Sequence, residues 1–228
     1  MGFIRESFTT ALSLICSLDR EVFNAVGTSL TVSLWAILLA SLAGIPAGIA
    51  VAVGTFPGRR LVITLLNTLM ALPTVVVGLV LYGLLSRQGP LGAMALLFTP
   101  KAMIIGQTVL AMPIVANYTL STVAGADPRI LPTAMTLGAG PLQGLARLVL
   151  EARFGIMAAV IAGFGRVIAE VGAAMMLGGN IQGYTRTMTT AIALETSKGE
   201  FAFGLALGII LMAVALIANL FLNILQQK

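Results

Sequence analysis

The 228-residue chain has no histidine and a single cysteine, Cys16. Without imidazole it lacks the commonest general base, proton relay and transition-metal ligand, and one thiol forms neither an internal disulfide nor a metal site. Its three lysines, Lys101, Lys198 and Lys228, stand outside any Gly-Lys-Ser/Thr context, so the chain carries no P-loop for a nucleotide. Charge is scarce as well. Charged residues make up 9%, against about 25% in an average soluble domain, whereas hydrophobic residues reach 58% and the mean hydropathy is +1.04. A soluble domain of this length exposes far more polar surface than these residues can supply. That excludes an ordinary soluble enzyme and leaves an all-α integral membrane protein with several spans. The net charge of +5 comes from basic residues scattered singly among apolar runs, which suits membrane orientation and anion handling, and not nucleic acid.

A helix needs about 20 apolar residues to cross roughly 30 Å of hydrocarbon. Five runs meet that length: 29–53, 61–86, 102–126, 154–177 and 201 to 225, the fourth interrupted by Arg166 and Glu170. Residues 1–21 read as an N-terminal interfacial segment, in which Phe8, Leu12 and Ile15 share an apolar helix face with Phe3 and Ile4. It is too short to span, and Asp19, Arg20 and Glu21 stand where a cleaved signal would carry small residues. Residues 1–228 are therefore expected to form one transmembrane domain with no appended regulatory domain. Two uncharged stretches fail as spans. Residues 88–100 are broken by prolines and glycine, and 130–146 contain Pro132, Gly138, Gly140, Pro141 and Gly144. The segment 127–153 thus reads as a solvent-side loop with helical pieces. With the N-terminus outside, Arg59, Arg60, Arg129, Arg147, Arg153 and Lys228 fall inside. Arg5, Arg20, Arg87, Lys101, Arg186 and Lys198 then fall outside, so the count leaves orientation open.

The loop DPRILPTAMTLGAGPLQGLARLVLEAR at 127–153 carries the most specific pattern. Ala134 precedes Gly138 by four, and Leu148-Val149-Leu150 follows nine residues later, while Leu137, Leu142 and Leu145 offer an apolar face and Pro141 suits a helix start. This arrangement resembles the cytoplasmic loop of the permease subunits of type I ABC importers, E-A-A, three residues, G, nine residues, I-x-L-P. Pro132, Thr133 and Glu151 depart from that pattern. The form Glu151-Ala152-Arg153-Phe154-Gly155, with LPTVVVGLVLYGLLSRQGPLG at 72–92, GFGRVIAEVGAAMMLGGNI at 163–181 and TRTMTTAIALETSKGEF at 185–201, is similar to the tungstate-importer permeases. The resemblance implies a five-span type I ABC importer permease fold and a homodimer. It also implies two separate ATPase subunits, an extracytoplasmic binding protein that delivers an oxyanion, and no cofactor. It implies that Ala134, Leu137, Gly138, Ala139, Pro141, Leu142 and Leu145 form the ATPase-coupling loop, which faces the cytoplasm and so puts the N-terminus outside. Tungstate is the implied cargo, with molybdate or sulfate as alternatives. An ATPase-independent secondary transporter or channel would leave the loop unexplained.

Arg166 and Glu170 are four apart, so on one helix they share a face and can pair. A charge within hydrocarbon is costly, and the pair reads either as a tie holding the fourth span or as a pathway element easing a dianion past. Asn180, with Arg186, just beyond that span, is a further candidate for meeting a partner or the anion. Gly44-x-x-x-Gly48 and Gly204-x-x-x-Gly208 suit close helix packing, and Pro46, Pro73 and Pro113 are expected to kink or break spans.

Overall fold

Asp19 decides where the first long helix begins: its Oδ1 accepts from the backbone N–H groups of Glu21 and Val22, each at 3.0 Å. In the computed structural model, which describes residues 2–226, the helix therefore starts at Arg20, earlier than the expected span at 29–53. Lys228, counted above with the inner basic residues, lies outside the described residues. The helices are α1 (Gly2–Cys16), α2 (Arg20–Val53), α3 (Arg59–Met70), α4 (Thr74–Leu85), α5 (Pro100–Ala124) and α6 (Ile130–Thr136). They continue as α7 (Pro141–Glu151), α8 (Arg153–Ile168), α9 (Gly172–Gly178), α10 (Met188–Lys198) and α11 (Phe201–Gln226). Among the described residues there is no strand, and a single 3-10 turn, Gly92–Met94, lies in the expected 88–100 loop.

Three described helices, Arg20–Val53, Pro100–Ala124 and Phe201–Phe221, are long and apolar enough to cross a membrane unbroken. Two further pairs qualify only together: α3 with α4, bent by 96°, and α7 with α8, bent by 62°. The break expected at Pro73 is thus present within 61–86, whereas the expected span at 154–177 is corrected: its helix, α8, bends away from α7 and ends at Ile168. Pro73 has no N–H to continue α3 and forces Leu72 out of helical backbone, which explains the first bend. The run 154–177 breaks at 169–171, and α9 then restarts with Glu170 Oε1 accepting from Ala173 N at 3.0 Å. Pro46 and Pro113, by contrast, sit inside continuous helices.

α2 and α5 form the centre. A Cβ added at Gly44 would stand 3.0 Å from Met112 O, and one at Gly48 would collide with Ala116 O and lie 2.8 Å from Thr119 Cβ. This glycine pair therefore packs within the bundle. The second motif does so only at Gly204, near Thr196; a Cβ at Gly208 meets nothing within 4 Å. α8 completes the core through Val167 against Ile37, Ala40, Ala111 and Val115, and α9 through Ala173 against Val77 and Leu110. Val22, Ile168, Met188, Ala191 and Leu207 then seat α10 and α11 beside α2. α1 lies against α11, with the Phe3 and Phe201 rings 5.7 Å apart and Ala11 fully buried, while Phe8 and Leu12 face outward. The outer faces of α2 (Leu34, Trp35, Leu38, Leu42) and α11 (Met212, Leu216, Ile217, Leu220) are exposed and apolar, as a bilayer requires.

Candidate functional site

The 127–153 segment folds as a hairpin of α6 and α7. α6 ends in a left-handed residue, Gly138, at φ +90°. Gly138 N donates to Met135 O at 3.1 Å and Ala139 N to Ala134 O at 3.0 Å. These two bonds close a helix C-terminus in the Schellman manner, where a Cβ is disfavoured, so the glycine is needed by the backbone itself. α7 opens with Pro141 in its first turn, and Gln143 Oε1 accepts from Gly140 N at 2.9 Å. A Cβ at Gly144 would stand 2.8 Å from Leu131 Cδ1, so the close approach between the two helices occurs there and not at 138–140. Leu137 and Leu142 flank the turn at 83% and 82% exposure. Leu145 differs from the expected exposed face: it turns inward against Val123, Leu148, Ala152 and Ile156. At the base, Asp127 accepts from the backbone and side-chain N–H groups of Arg129, which hold its carboxyl below the ordinary value.

Deeper in the bundle, Arg166 Nη1 donates to Glu170 Oε2 at 2.7 Å. The pairing inferred from their spacing is present even though α8 ends at Ile168, ahead of Glu170. Their side chains differ sharply: Glu170 is 2% exposed and Arg166 38%. Glu170 also accepts Thr189 Oγ1 on its main-chain carbonyl at 2.7 Å, tying the α8–α9 break to the start of α10. Around it lies a buried hydroxyl cluster. Thr187 and Thr190 cap α10 reciprocally, Met188 N donates to Ser29 Oγ at 2.7 Å, and Thr185 Oγ1 donates to Gly178 O at 2.6 Å. Asn180, at φ +51°, donates to Thr190 O at 3.4 Å, while its buried Oδ1 has no hydrogen-bond partner.

A second polar assembly escaped the sequence reading. Arg186 pairs with Glu21 at 2.7 Å and lies 3.7 Å from Glu195, which Lys198 also meets at 2.9 Å. It joins the first turn of α2 to the end of α10. Glu195 lay within the quoted 185–201 block, but nothing local marks it as the partner of a residue near the N-terminus.

No protein-family model matches the chain. It is 39% identical over 228 residues, the whole of both chains, to the tungstate uptake system permease protein TupB of Peptoclostridium acidaminophilum. It is 45% identical over 202 residues, 86% of this chain and 87% of the other, to a probable anion ABC transporter permease protein of Haloferax volcanii. The chain belongs to the ABC-transporter permeases, in the branch of the tungstate uptake permeases. Among solved structures, a bacterial ABC transporter involved in the import of the acidic polysaccharide alginate superposes with a TM-score of 0.75. At 19% identity, over 96% of this chain and 83% of that one, it shows that the permease has the type I ABC importer fold.

The permease accordingly divides its polar groups by place. The hairpin turn projects two leucines from a backbone that Gly138 and Pro141 fix, so it offers a small rigid apolar knob. The Arg166–Glu170 pair stitches a break inside the bundle. Arg166 retains an exposed guanidinium edge, whereas Glu170 has none to offer.

Proposed function

We propose that this permease is the membrane-spanning subunit of an ATP-driven importer and passes an oxyanion, tungstate first among them, delivered by an extracytoplasmic binding protein. It acts as a homodimer with two ATPase subunits, since one bundle supplies only one wall of a pathway. The hairpin carries this reading: Leu137 and Leu142 stand out on a turn whose backbone is locked, which is what docking into an ATPase groove demands. In this reading the hairpin faces the cytoplasm, the N-terminus lies outside and α1 rests in the outer interface. ATP-driven closure of the ATPases draws the two hairpins together and turns the bundles outward; hydrolysis restores the inward state.

Arg166 eases the dianion along through its exposed edge, with Glu170 holding the guanidinium in place. Discrimination among oxyanions rests mainly with the binding protein, because a conducting path must hold its cargo weakly. The test is ATP hydrolysis by the permease reconstituted with its ATPase and binding protein, with tungstate, molybdate and sulfate compared at equal concentration. Stimulation strongest with tungstate supports the proposal in full. A molybdate or sulfate maximum keeps the importer and replaces its cargo, and no stimulation by any of the three overturns the oxyanion reading.

A further inference from the structure

None of the residues of α3 is buried, and the face it leaves open is not one that hydrocarbon selects. Arg60, Thr64, Asn67 and Thr68 are all exposed and recur at helical spacing, so they form one stripe. Ser121 on α5 is exposed and Asn117 half-buried. The two helices meet through an amide pair: Asn117 Nδ2 donates to Asn67 Oδ1 at 2.6 Å. Asn117 precedes the end of α5 by seven residues, about 10 Å along the helix, so the pair sits well inside the bundle's apolar zone. The lipid-suited surface looks different. On α11 the exposed surface is mostly apolar, with Met212, Leu216, Ile217, Leu220, Phe221 and Ile224, and the exposed Asn219 returns its amide to Ala215 O at 2.9 Å. An exposed polar stripe at membrane depth faces protein or water, because lipid cannot satisfy it.

The two arginines at the head of α3 play separate parts. Arg59 donates to Val51 O at 2.8 Å and to Ala52 O at 3.2 Å, closing the end of α2. Arg60 is exposed and takes part in none of the ion pairs found among the described residues. From Arg60 to Thr68 the stripe climbs about 12 Å. Thr64 and Thr68 donate their hydroxyl protons to Arg60 O and Thr64 O, each at 2.9 Å, so they present oxygens that hold water and not the anion. Asn117 gives its second N–H to Met70 Sδ at 2.8 Å, so the pair leaves the exposed Asn67 Nδ2 donors for an anion.

We propose that this stripe is the wall of the cytoplasmic half of the permeation pathway. The Asn67–Asn117 pair is the deepest station for a tetrahedral dianion, and Arg60 the cation at the exit. Neutral amide donors stabilise a dianion weakly enough for release, and the arginine draws it out. The exposed Leu61, Leu65 and Leu69 beside the stripe give the second copy of the chain an apolar edge on which to close, which encloses the polar strip in water. The assignment rests on the import reading above.

The test places single cysteines in a Cys16→Ser permease, because Cys16 is exposed. Thr64→Cys, Asn67→Cys, Thr68→Cys and, as the lipid-facing control, Ile217→Cys are assembled with the ATPase in lipid nanodiscs. Each complex is treated with a membrane-impermeant anionic methanethiosulfonate, then reconstituted for ATP-driven tungstate uptake. The proposal expects modification at 64, 67 and 68 at least tenfold faster than at 217, and at least tenfold lower uptake after modification at 64 or 67. Rates at 64, 67 and 68 no faster than at 217 overturn it. Fast modification that leaves uptake intact also overturns it, since the stripe then merely borders cytoplasmic water. Uptake by the unsubstituted complex is measured alongside: its presence isolates a failure to the pathway assignment, and its absence for every oxyanion brings down the import reading and this assignment with it.

Discussion

Replacing Arg166 with alanine should harm the fold more than replacing its partner. Arg166→Ala leaves the Glu170 carboxylate, 2% exposed, with the Ala173 N–H at 3.0 Å as its remaining side-chain partner. Removing one member of a buried pair costs roughly 3–5 kcal/mol because a charge is stranded away from water. Glu170→Ala strands a different group: Arg166 keeps 38% exposure and can remain hydrated, so the main loss is the orphaned Ala173 N–H. That costs about 1–3 kcal/mol. The double variant removes both charges and retains only the smaller penalty. For a chain of this size 1 kcal/mol moves Tm by about 2–4 °C, so Arg166→Ala is expected to lower Tm by roughly 6–20 °C. Glu170→Ala and the double variant should each lose about 2–12 °C. Thermal unfolding of the purified permease in one detergent, followed by far-ultraviolet circular dichroism, reads the order. A double variant no more stable than Arg166→Ala would show that stranding of the carboxylate is not the dominant cost.

Gly138→Leu meets no neighbour within 4 Å but forces φ +90° on a branched residue, which costs about 1–3 kcal/mol. The permease should still fold yet lose ATP-driven uptake, whereas Gly140→Ala, at φ −67°, should keep it; uptake retained by Gly138→Leu contradicts the hairpin's coupling role. Gly48→Ala drives a methyl into Ala116 O and should destabilise the α2–α5 contact by about 1–3 kcal/mol, while Gly27→Ala on the same helix, with open space around it, should be neutral or stabilising. Equal Tm for those two variants contradicts the packing assigned to Gly48. Arg186→Met removes the link between Glu21 and Glu195 and should lower stability by about 1.5–3 kcal/mol, read as a drop in Tm; an unchanged Tm would mean the network is incidental.

The parts of this fold that were legible in the sequence are those set by local chemistry. Charge-free runs located the long apolar helices because hydrocarbon excludes charge, and the prolines and glycines of 130–146 marked the loop because a lipid-exposed helix does not tolerate them together; the weight given to Gly138 came from the resemblance to the importer permeases. The pairing of Arg166 with Glu170 followed from spacing alone. Their unlike exposure did not, because it depends on the break at 169–171, where Glu170 turns to cap α9 instead of continuing α8. Leu145 looked equivalent to Leu142 by periodicity, yet α7 packs one side on Val123 and Ile156, and only tertiary context selects that side. The Arg186–Glu21 pair joins residues 165 apart, beyond the reach of any local pattern. Asn67 and Asn117, 50 apart, were hidden for the same reason: each is an ordinary polar residue in its own run until the bend at Pro73 brings α3 across α5.

The most direct measurement is tungstate accumulation by sealed proteoliposomes that hold ATP and the ATPase subunits inside, with permease in the membrane and tungstate-loaded binding protein outside. Accumulation is expected only with ATP, ATPase and an intact hairpin, and Leu137→Asp with Leu142→Asp should reduce it at least tenfold while the permease remains folded. Accumulation that continues without ATP, or unchanged in the double leucine variant, would contradict an ATP-driven importer coupled through this turn.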